Sequence, residues 1–359
     1  MSVAVDSIEG LQQAVREARR VLPRGAGTKP ALSTAPDDVV SLDMSGLSGI
    51  VEYDPGELTF TALAGTPVSE VSAALAEEGQ YLPFDPPLAA AGATLGGVVA
   101  SGTSGPNAFR HGGVRDFLIG VRFIDGTGRL ITGGGKVVKN AAGFDLPKLM
   151  IGSAGRLGVL VQLSFKVFPR PRTTVTLRSD LGSTEQALAV MAGLGRGPVE
   201  LDALDLEPPG TLVLRLGGAA ETLDSRASRV AGELGYGTER LEGEADETCW
   251  SDASELKWVP PDSTLVRIGL TPRGVPGLDS ALRRSGAAGR YSLGANVAWV
   301  AWPAGRSLDE LDADLKSAAL AGMVLSGTTG RVLIGHTTGG AFAKRVRAAI
   351  DPDARFLEY

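Results

Sequence analysis

A chain of 359 residues, 43% hydrophobic and 21% charged, has the composition of a folded globular protein and, at roughly 150 residues per domain, the length of two domains. Its 41 acidic and 35 basic residues leave a net charge of −6, which argues against nucleic acid as the main partner, since such proteins carry a basic stripe. The single Cys249 excludes a disulfide framework, a cysteine-rich zinc site and an iron–sulfur cluster, and fits a reducing, cytoplasmic compartment.

The N-terminus, MSVAVDSIEGLQQAV, lacks a basic region followed by an apolar core, so no secretory signal is expected. Residues 7–19 place Ile8, Leu11, Ala14, Val15 and Ala18 on one face, the pattern of a short amphipathic helix. Residues 39–42, 49–53 and 58–63 read as short strands separated by Asp-Pro-Gly turn chemistry. Thr66-Pro67 offers a hydroxyl cap and then a proline where no amide hydrogen is needed, so a helix is expected from there to a C-capping Gly79. The uncharged run 86–109 is interrupted by Pro86, Pro87, Pro106 and five glycines. A membrane span needs about 20 strongly apolar residues, and this run is too small and too broken.

Residues 117–124 read as a strand, turned by Asp125-Gly126 into a second at 129–132, with a third at 158–167. That third strand ends at PRPR, residues 169–172, the expected domain boundary. Beyond it, helices near 184–194 and 223–234 alternate with the strand signals LEPPGTLVLRLGG and STLVRIGLTP. The segment VAWVAWP places Trp299 and Trp302 on an aromatic strand, either core or a partner surface. Strands interleaved with helices imply an α+β or mixed layer rather than a barrel, and no repeat of fixed period is present.

Three small-residue segments stand out: RGAGTK at 24–29, GATLGGVVASGTSG at 92–105, and KVVKNAAGFDLPKLMIGSAGRLGVL at 136–160. One alone reads as a plain turn, glycine being the default residue for positive φ. Three in the first half point to backbone approached closely by a ligand. The dinucleotide fingerprint fails because position 30 is proline, and the phosphate-binding loop of nucleotide triphosphatases fails because Gly135-Lys136 is followed by Val137. What the pattern leaves is a large anionic ligand held by backbone amides. Thr28 at a strand-to-helix turn, and Thr94 ahead of Leu95-Gly96-Gly97, would present N–H groups and hydroxyls to phosphate oxygens.

RGAGTK, PFDPP, ATLGGVVASGTSGP, FRHGGVRDFLIGVRFIDGTG and VVKNAAGFDLPKLMIGSAGRLGVL, in that order and spacing, resemble the FAD-binding domain of the vanillyl-alcohol-oxidase superfamily, p-cresol methylhydroxylase type. The chain as a whole is similar to the FAD-binding E-type subunits of bacterial glycolate oxidases. The resemblance implies an α+β fold: a two-subdomain FAD-binding domain over 1–170, a short α+β cap or interaction domain over 171–330, and a C-terminal segment, 331–359, returning toward the FAD domain. It implies Arg24, Gly25, Ala26, Gly27, Thr28 and Lys29 around the pyrophosphate of FAD. Pro86, Gly92, Ala93, Thr94, Gly96 and Gly97 would line the phosphates and ribityl chain. Ser101, Arg110, Gly113 and Val114 would be further contacts, and Asn140, Gly143, Asp145, Gly155, Gly158 and Val159 would pack along the cofactor's other side.

Several of these residues keep a second reading. Asp145 reads equally as a helix cap, Lys136 and Lys139 as solvated charges, and Arg110 as a cation near the flavin ring or an ordinary surface residue. Covalent attachment in this superfamily uses histidine or cysteine near the ring. RGAGTK has neither, His111 and His336 are the only histidines, and Cys249 lies in the second half, so non-covalent FAD is expected. His336 stands either on the substrate side or at the surface.

Oxidising a 2-hydroxy acid requires a base for the hydroxyl proton and a cation for the carboxylate. D-type subunits of such complexes carry an H-x-G-D-G-N-x-H cluster, which this chain lacks, and no arginine pair placed for a carboxylate is evident. The resemblance therefore implies an FAD-dependent oxidoreductase subunit that takes glycolate to glyoxylate only beside a D-type flavoprotein and an iron–sulfur F-type subunit. The alternatives are a structural subunit with non-catalytic FAD and a stand-alone hydroxy-acid or alcohol oxidase. No metal site and no transmembrane segment are expected, and any contact with the inner membrane would be peripheral, through the complex.

Overall fold

The computed structural model describes residues 1–135, 144–327 and 330–359. The chain divides into two units, one made of Met1–Ser104, Gly113–Pro169 and Thr338–Tyr359, the other of Gly105–Gly112 and Arg170–Thr337. Residues 105–112, inside the expected first domain, thus lie with the second unit. The C-terminal stretch is also divided: Leu333–Gly335 is an edge strand of the second unit, and Thr338–Tyr359 packs in the first. The architecture is α+β in both.

In the first unit, Ser2–Ala4, Val40–Asp43 and Val21–Arg24 form a small parallel sheet in that order. Helix Ile8–Glu17 begins on Ser7, whose hydroxyl accepts from the Gly10 amide at 3.2 Å, and buries Leu11 and Val15. These join Val21, Leu42, Met44, Ile124, Val159 and Val161 in one apolar cluster. The last two come from a five-stranded antiparallel sheet, Ile50–Asp54, Thr59–Leu63, Val159–Lys166, Leu118–Ile124 and Leu130–Gly134 in spatial order. The strands expected here form within one or two residues of their expected ends, the usual uncertainty of element boundaries.

The hydroxyl cap expected at Thr66 does not form. Helix Val68–Glu77 is capped at Pro67, while the buried Thr66 hydroxyl donates to Leu63 O at 2.7 Å and accepts from the Gly49 amide at 2.9 Å. A fully buried hydroxyl must be satisfied where it sits, and here two strand ends use it. Gly79, at φ +63°, does stop the helix.

The second unit is built on a nine-stranded sheet. Its spatial order is Glu239–Glu242, Thr173–Asp180, Thr211–Gly218, Ala203–Glu207, Ala288–Ser292, Val297–Trp302, Thr264–Gly269, Ala321–Val324 and Leu333–Gly335. One face is apolar and packs on helices: a Cβ added at Gly289 would meet Leu282 of helix Val275–Ser285, and one at Gly322 would meet Leu315 of helix Leu308–Ser317. The other face carries the charged groups, and helix Glu244–Ser254 packs on part of it through Trp250 and Ala253 against Ala203 and Val213. There Asp246 accepts from Thr174, Thr176 and Arg215, and Arg290 pairs with Asp205 and Glu207. Strand Val297–Trp302 is paired on both edges and entirely buried, with Trp299 4% and Trp302 1% exposed. Of the two readings of VAWVAWP, core is the observed one, and the strand offers no aromatic surface to a partner.

Two predictions follow from this packing. Phe356, 1% exposed, carries the C-terminal stretch into the first unit's core, and the Val21 amide donates to Arg355 O at 2.8 Å beside it. Phe356→Ala should cost about 3–5 kcal/mol, read as a lowered denaturant midpoint at unchanged slope. In the second unit, the Gly335 amide, with Lys316 and Arg331, holds the Asp312 carboxyl well below its ordinary value. A depressed carboxylate stabilises the fold above its unfolded pKa and loses that contribution as pH falls. Asp312→Asn should therefore flatten the acid side of the stability–pH curve below about pH 4, measured by thermal melts across pH.

Candidate functional site: a cofactor pocket in the first unit

Strand Val21–Arg24 ends at Gly25, and the chain turns through Ala26, Gly27 and Thr28 into the short helix Pro30–Ser33. Gly27 sits at φ +74°, where a Cβ would lie 3.1 Å from the Arg24 guanidinium. None of the amides of Gly25, Ala26, Gly27 and Thr28 donates to another described residue. Successive amides left open on one turn form an anion-binding concavity.

This loop borders a pocket walled by several separate segments of the first unit. Ten expected residues line it: Gly25, Ala26, Gly27, Thr28, Lys29, Thr94, Gly96, Gly97, Gly155 and Gly158. Sequence reasoning missed Pro23, Leu32, Ser33, Met44, Ala64, Ala100, Ser153, Ala154 and Leu160. Ser153 and Ala154 lie inside the quoted MIGSAGRLG and were within reach. Met44 and Ala64 come from strand ends with no local signal.

The rest of the expected set either does not line this pocket or lies outside the described residues. Arg24 lines a second depression, with Gly27, Ser33 and Asp37. Pro86, Gly92, Ala93, Ser101, Gly113, Val114, Asp145 and Val159 do not line the pocket. The Val114 amide donates to Ser104 Oγ at 2.9 Å. Asp145 caps helix Leu146–Met150, accepting from the Lys148 amide at 3.1 Å and pairing with its ammonium at 2.9 Å. Arg110 belongs to the second unit, where it ion-pairs with Glu200 and Asp202. Asn140, Gly143, Lys136 and Lys139 lie outside the described residues.

The segment after Thr94 corrects one expectation. The Leu95 amide donates to Thr66 O, that of Gly96 to Ala64 O at 2.7 Å, and that of Gly97 to Thr94 Oγ1 at 3.2 Å. Ser101 Oγ donates to Gly97 O. These donors are spent inside the protein, so the 94–101 segment contributes a wall, and the open amides are those of 25–28.

The glycines, too, have a reason beyond the ligand. A Cβ at Gly25 would stand 2.3 Å from Thr94 Oγ1, one at Gly155 2.7 Å from Pro23, and one at Gly158 2.7 Å from Phe123. Their missing side chains let backbone segments meet each other, which draws the pocket walls together. Behind the walls, Arg156 is 4% exposed and donates to Ala154 O at 2.8 Å and Leu32 O at 3.3 Å.

The pocket accommodates FAD chemically. Four open amides and Lys29 suit a pyrophosphate, the buried Ser153 Oγ has no hydrogen-bond partner among the described residues, and Leu32, Met44 and Leu160 supply apolar wall. Compared with known proteins, residues 1–134 match the family described as "FAD binding domain". The chain is similar to glycolate oxidase subunit GlcE of Escherichia coli K12, 39% identical over 63% of this chain and 64% of that protein. It is also similar to subunit GlcD of Bacillus subtilis 168, 30% identical over 52% of this chain and 40% of that one. Solved structures of alkyldihydroxyacetonephosphate synthase share the fold, with a TM-score of 0.69 at 15% identity over 98% of this chain and 74% of that one.

The first 134 residues are thus similar to known FAD-binding domains. The chain matches less than two thirds of the length of these curated relatives. Among the described residues, no histidine or cysteine lines the FAD pocket, and no group of three or more histidine, cysteine, aspartate or glutamate side chains is placed to hold a metal. His111 lies in the second unit, its pKa lowered by burial and by Arg110; His336 is exposed. No helix among the described residues is long and apolar enough to cross a membrane.

Ala26 is the cleanest probe of the FAD site, because it already carries an exposed Cβ on the loop with open amides. Ala26→Asp places a competing anion there. FAD affinity should fall at least about tenfold, as a charge-assisted hydrogen bond contributes about 1.5–3 kcal/mol. The FAD-free protein should melt where the parent does. Flavin absorbance after gel filtration and a melt of each apoprotein check both halves.

Proposed function

We propose that this chain is the FAD-carrying subunit of a glycolate oxidase complex that converts glycolate to glyoxylate. A D-type flavoprotein and an iron–sulfur F-type subunit would be its partners, the latter receiving the electrons. The observation that carries the reading is the 39% identity to GlcE over 226 residues, joined to a pocket whose open amides suit a pyrophosphate. When bound, FAD supplies a two-electron acceptor for the hydride of a hydroxyl-bearing carbon. The chain's own residues supply the hold. Loop 25–28 orients the diphosphate, Lys29 and Ser153 add polar contacts, and Leu32, Met44, Ala64 and Leu160 exclude water.

The substrate's hydroxyl proton and carboxylate require a base and a cation. With two histidines in all and no H-x-G-D-G-N-x-H cluster, the sequence supports a chain that is not active alone. We place the complex in the cytoplasm.

The test is anaerobic mixing with glycolate, following flavin bleaching on this chain alone and after assembly with D-type and F-type subunits. Bleaching of this chain's flavin only in the assembled complex is the expected result. Rapid turnover by the isolated chain would overturn the subunit reading in favour of a stand-alone oxidase. An active complex in which this flavin never changes state would make its FAD structural.

A further inference from the structure

On the charged face of the second unit's sheet, arginines are matched to acids, whether buried or exposed. Arg215 pairs with Asp246, Arg290 with Asp205 and Glu207, and Arg178 with Glu207. Arg267 departs from this rule. Strand register places it in a row: Arg290 opposite Trp299, Trp299 opposite Arg267, and Arg267 opposite Met323. Residues paired across neighbouring strands share a face, so Arg267 lies on the charged face, away from helices Val275–Ser285 and Leu308–Ser317. No described residue makes a hydrogen bond or ion pair with its guanidinium, and its Nε is fully enclosed without an acceptor. Burial is the one influence on its charge, and it lowers the pKa. Only Nε among its nitrogens is wholly enclosed, so the terminal fork keeps an open side.

A half-buried guanidinium without an acid is unfavourable to the folded chain, and one that no carbonyl or carboxylate meets marks a candidate functional site. We propose that Arg267 anchors a binding site for a small organic carboxylate, the planar anion taking the guanidinium fork and its carbon skeleton lying on the side of Met323. Arginine matches a carboxylate with two parallel hydrogen bonds. A monoanion balances the single unmatched cation, whereas a phosphate dianion would call for a second one, and the nearest in the row, Arg290, is already paired. The hydroxy acid of the proposed reaction is one such carboxylate, and for that identity the inference rests on the proposed function; the site itself rests on Arg267 alone.

The test is calorimetric titration of the FAD-loaded full chain with acetate, glycolate, the neutral isostere glycolamide and inorganic phosphate, repeated on Arg267→Met and Arg267→Lys. Acetate and glycolate should bind and glycolamide should not. Arg267→Met should weaken carboxylate binding at least about tenfold, and its ligand-free melting temperature should hold or rise, because an apolar replacement of an unmatched buried charge is neutral or stabilising. Arg267→Lys, which keeps the charge and loses the fork, should bind more weakly than the parent and more tightly than Arg267→Met, and serves if the methionine variant fails to fold. The inference is overturned if the parent binds neither carboxylate, if phosphate binds more tightly than both, or if carboxylate affinity is unchanged in the variants. Carboxylate binding that depends on Arg267, in a chain whose flavin glycolate never reduces within the complex, would sink the proposed function and leave this site standing.

Discussion

The FAD pocket depends on one buried cation. Arg156 lies behind the wall formed by Leu32 and Ala154 and donates to both of their carbonyls. These carbonyls belong to segments more than a hundred residues apart in the chain, one following RGAGTK and the other inside MIGSAGRLG. Burial works against the guanidinium's charge, and a buried charge is tolerated only where polar atoms surround it. Binding two carbonyls satisfies part of that demand and fixes the spacing between the segments. The open amides of 25–28 and the Ser153 hydroxyl are thereby presented to the same cavity.

Both units pair buried carboxylates with arginines, as Asp125 with Arg129 in the first and Asp205 with Arg290 in the second, but Arg156 in the first is an exception. Arg156, behind the pocket, is met by backbone carbonyls. In the second unit, carboxylates and guanidinium groups are paired on one face of the sheet and between that face and helix Glu244–Ser254. Buried pairs of this kind contribute little net stability, but removing one partner is costly. That asymmetry gives meaning to a lone arginine on the same face, because the surrounding pattern shows what the fold does with charge when no ligand is involved.

Glycine has two distinct uses here. At Gly27 the turn itself requires a left-handed conformation. At Gly25 the φ is ordinary, and what matters is the 2.3 Å that would separate a Cβ from Thr94 Oγ1. The first use is a local rule and the second a long-range contact, although the two residues are neighbours in one hexapeptide.

Much of the molecule was legible in the residues alone. The amphipathic face of the first helix, Gly79 stopping another and the proline-rich stop before Thr173 are local chemistry, decided within a few residues. A large anionic ligand was legible too, because an anion held by backbone amides needs small residues in recognisable runs, and the family resemblance made that ligand FAD. Local pattern could not say which amides remain open. Those after Thr94 look as available in the sequence as those of RGAGTK, yet Ala64 and Thr66 take them, across a sheet edge that no short-range pattern encodes. Nor could it say that Arg110 would be matched by Glu200 and Asp202 while Arg267 would be left unmatched, or that Trp299 and Trp302 would be enclosed by strands on both sides. Sequence determined which groups carry donors, charges and conformational freedom; tertiary structure decided which of them stay unsatisfied, because a distant segment had to arrive, or fail to arrive, within hydrogen-bonding distance.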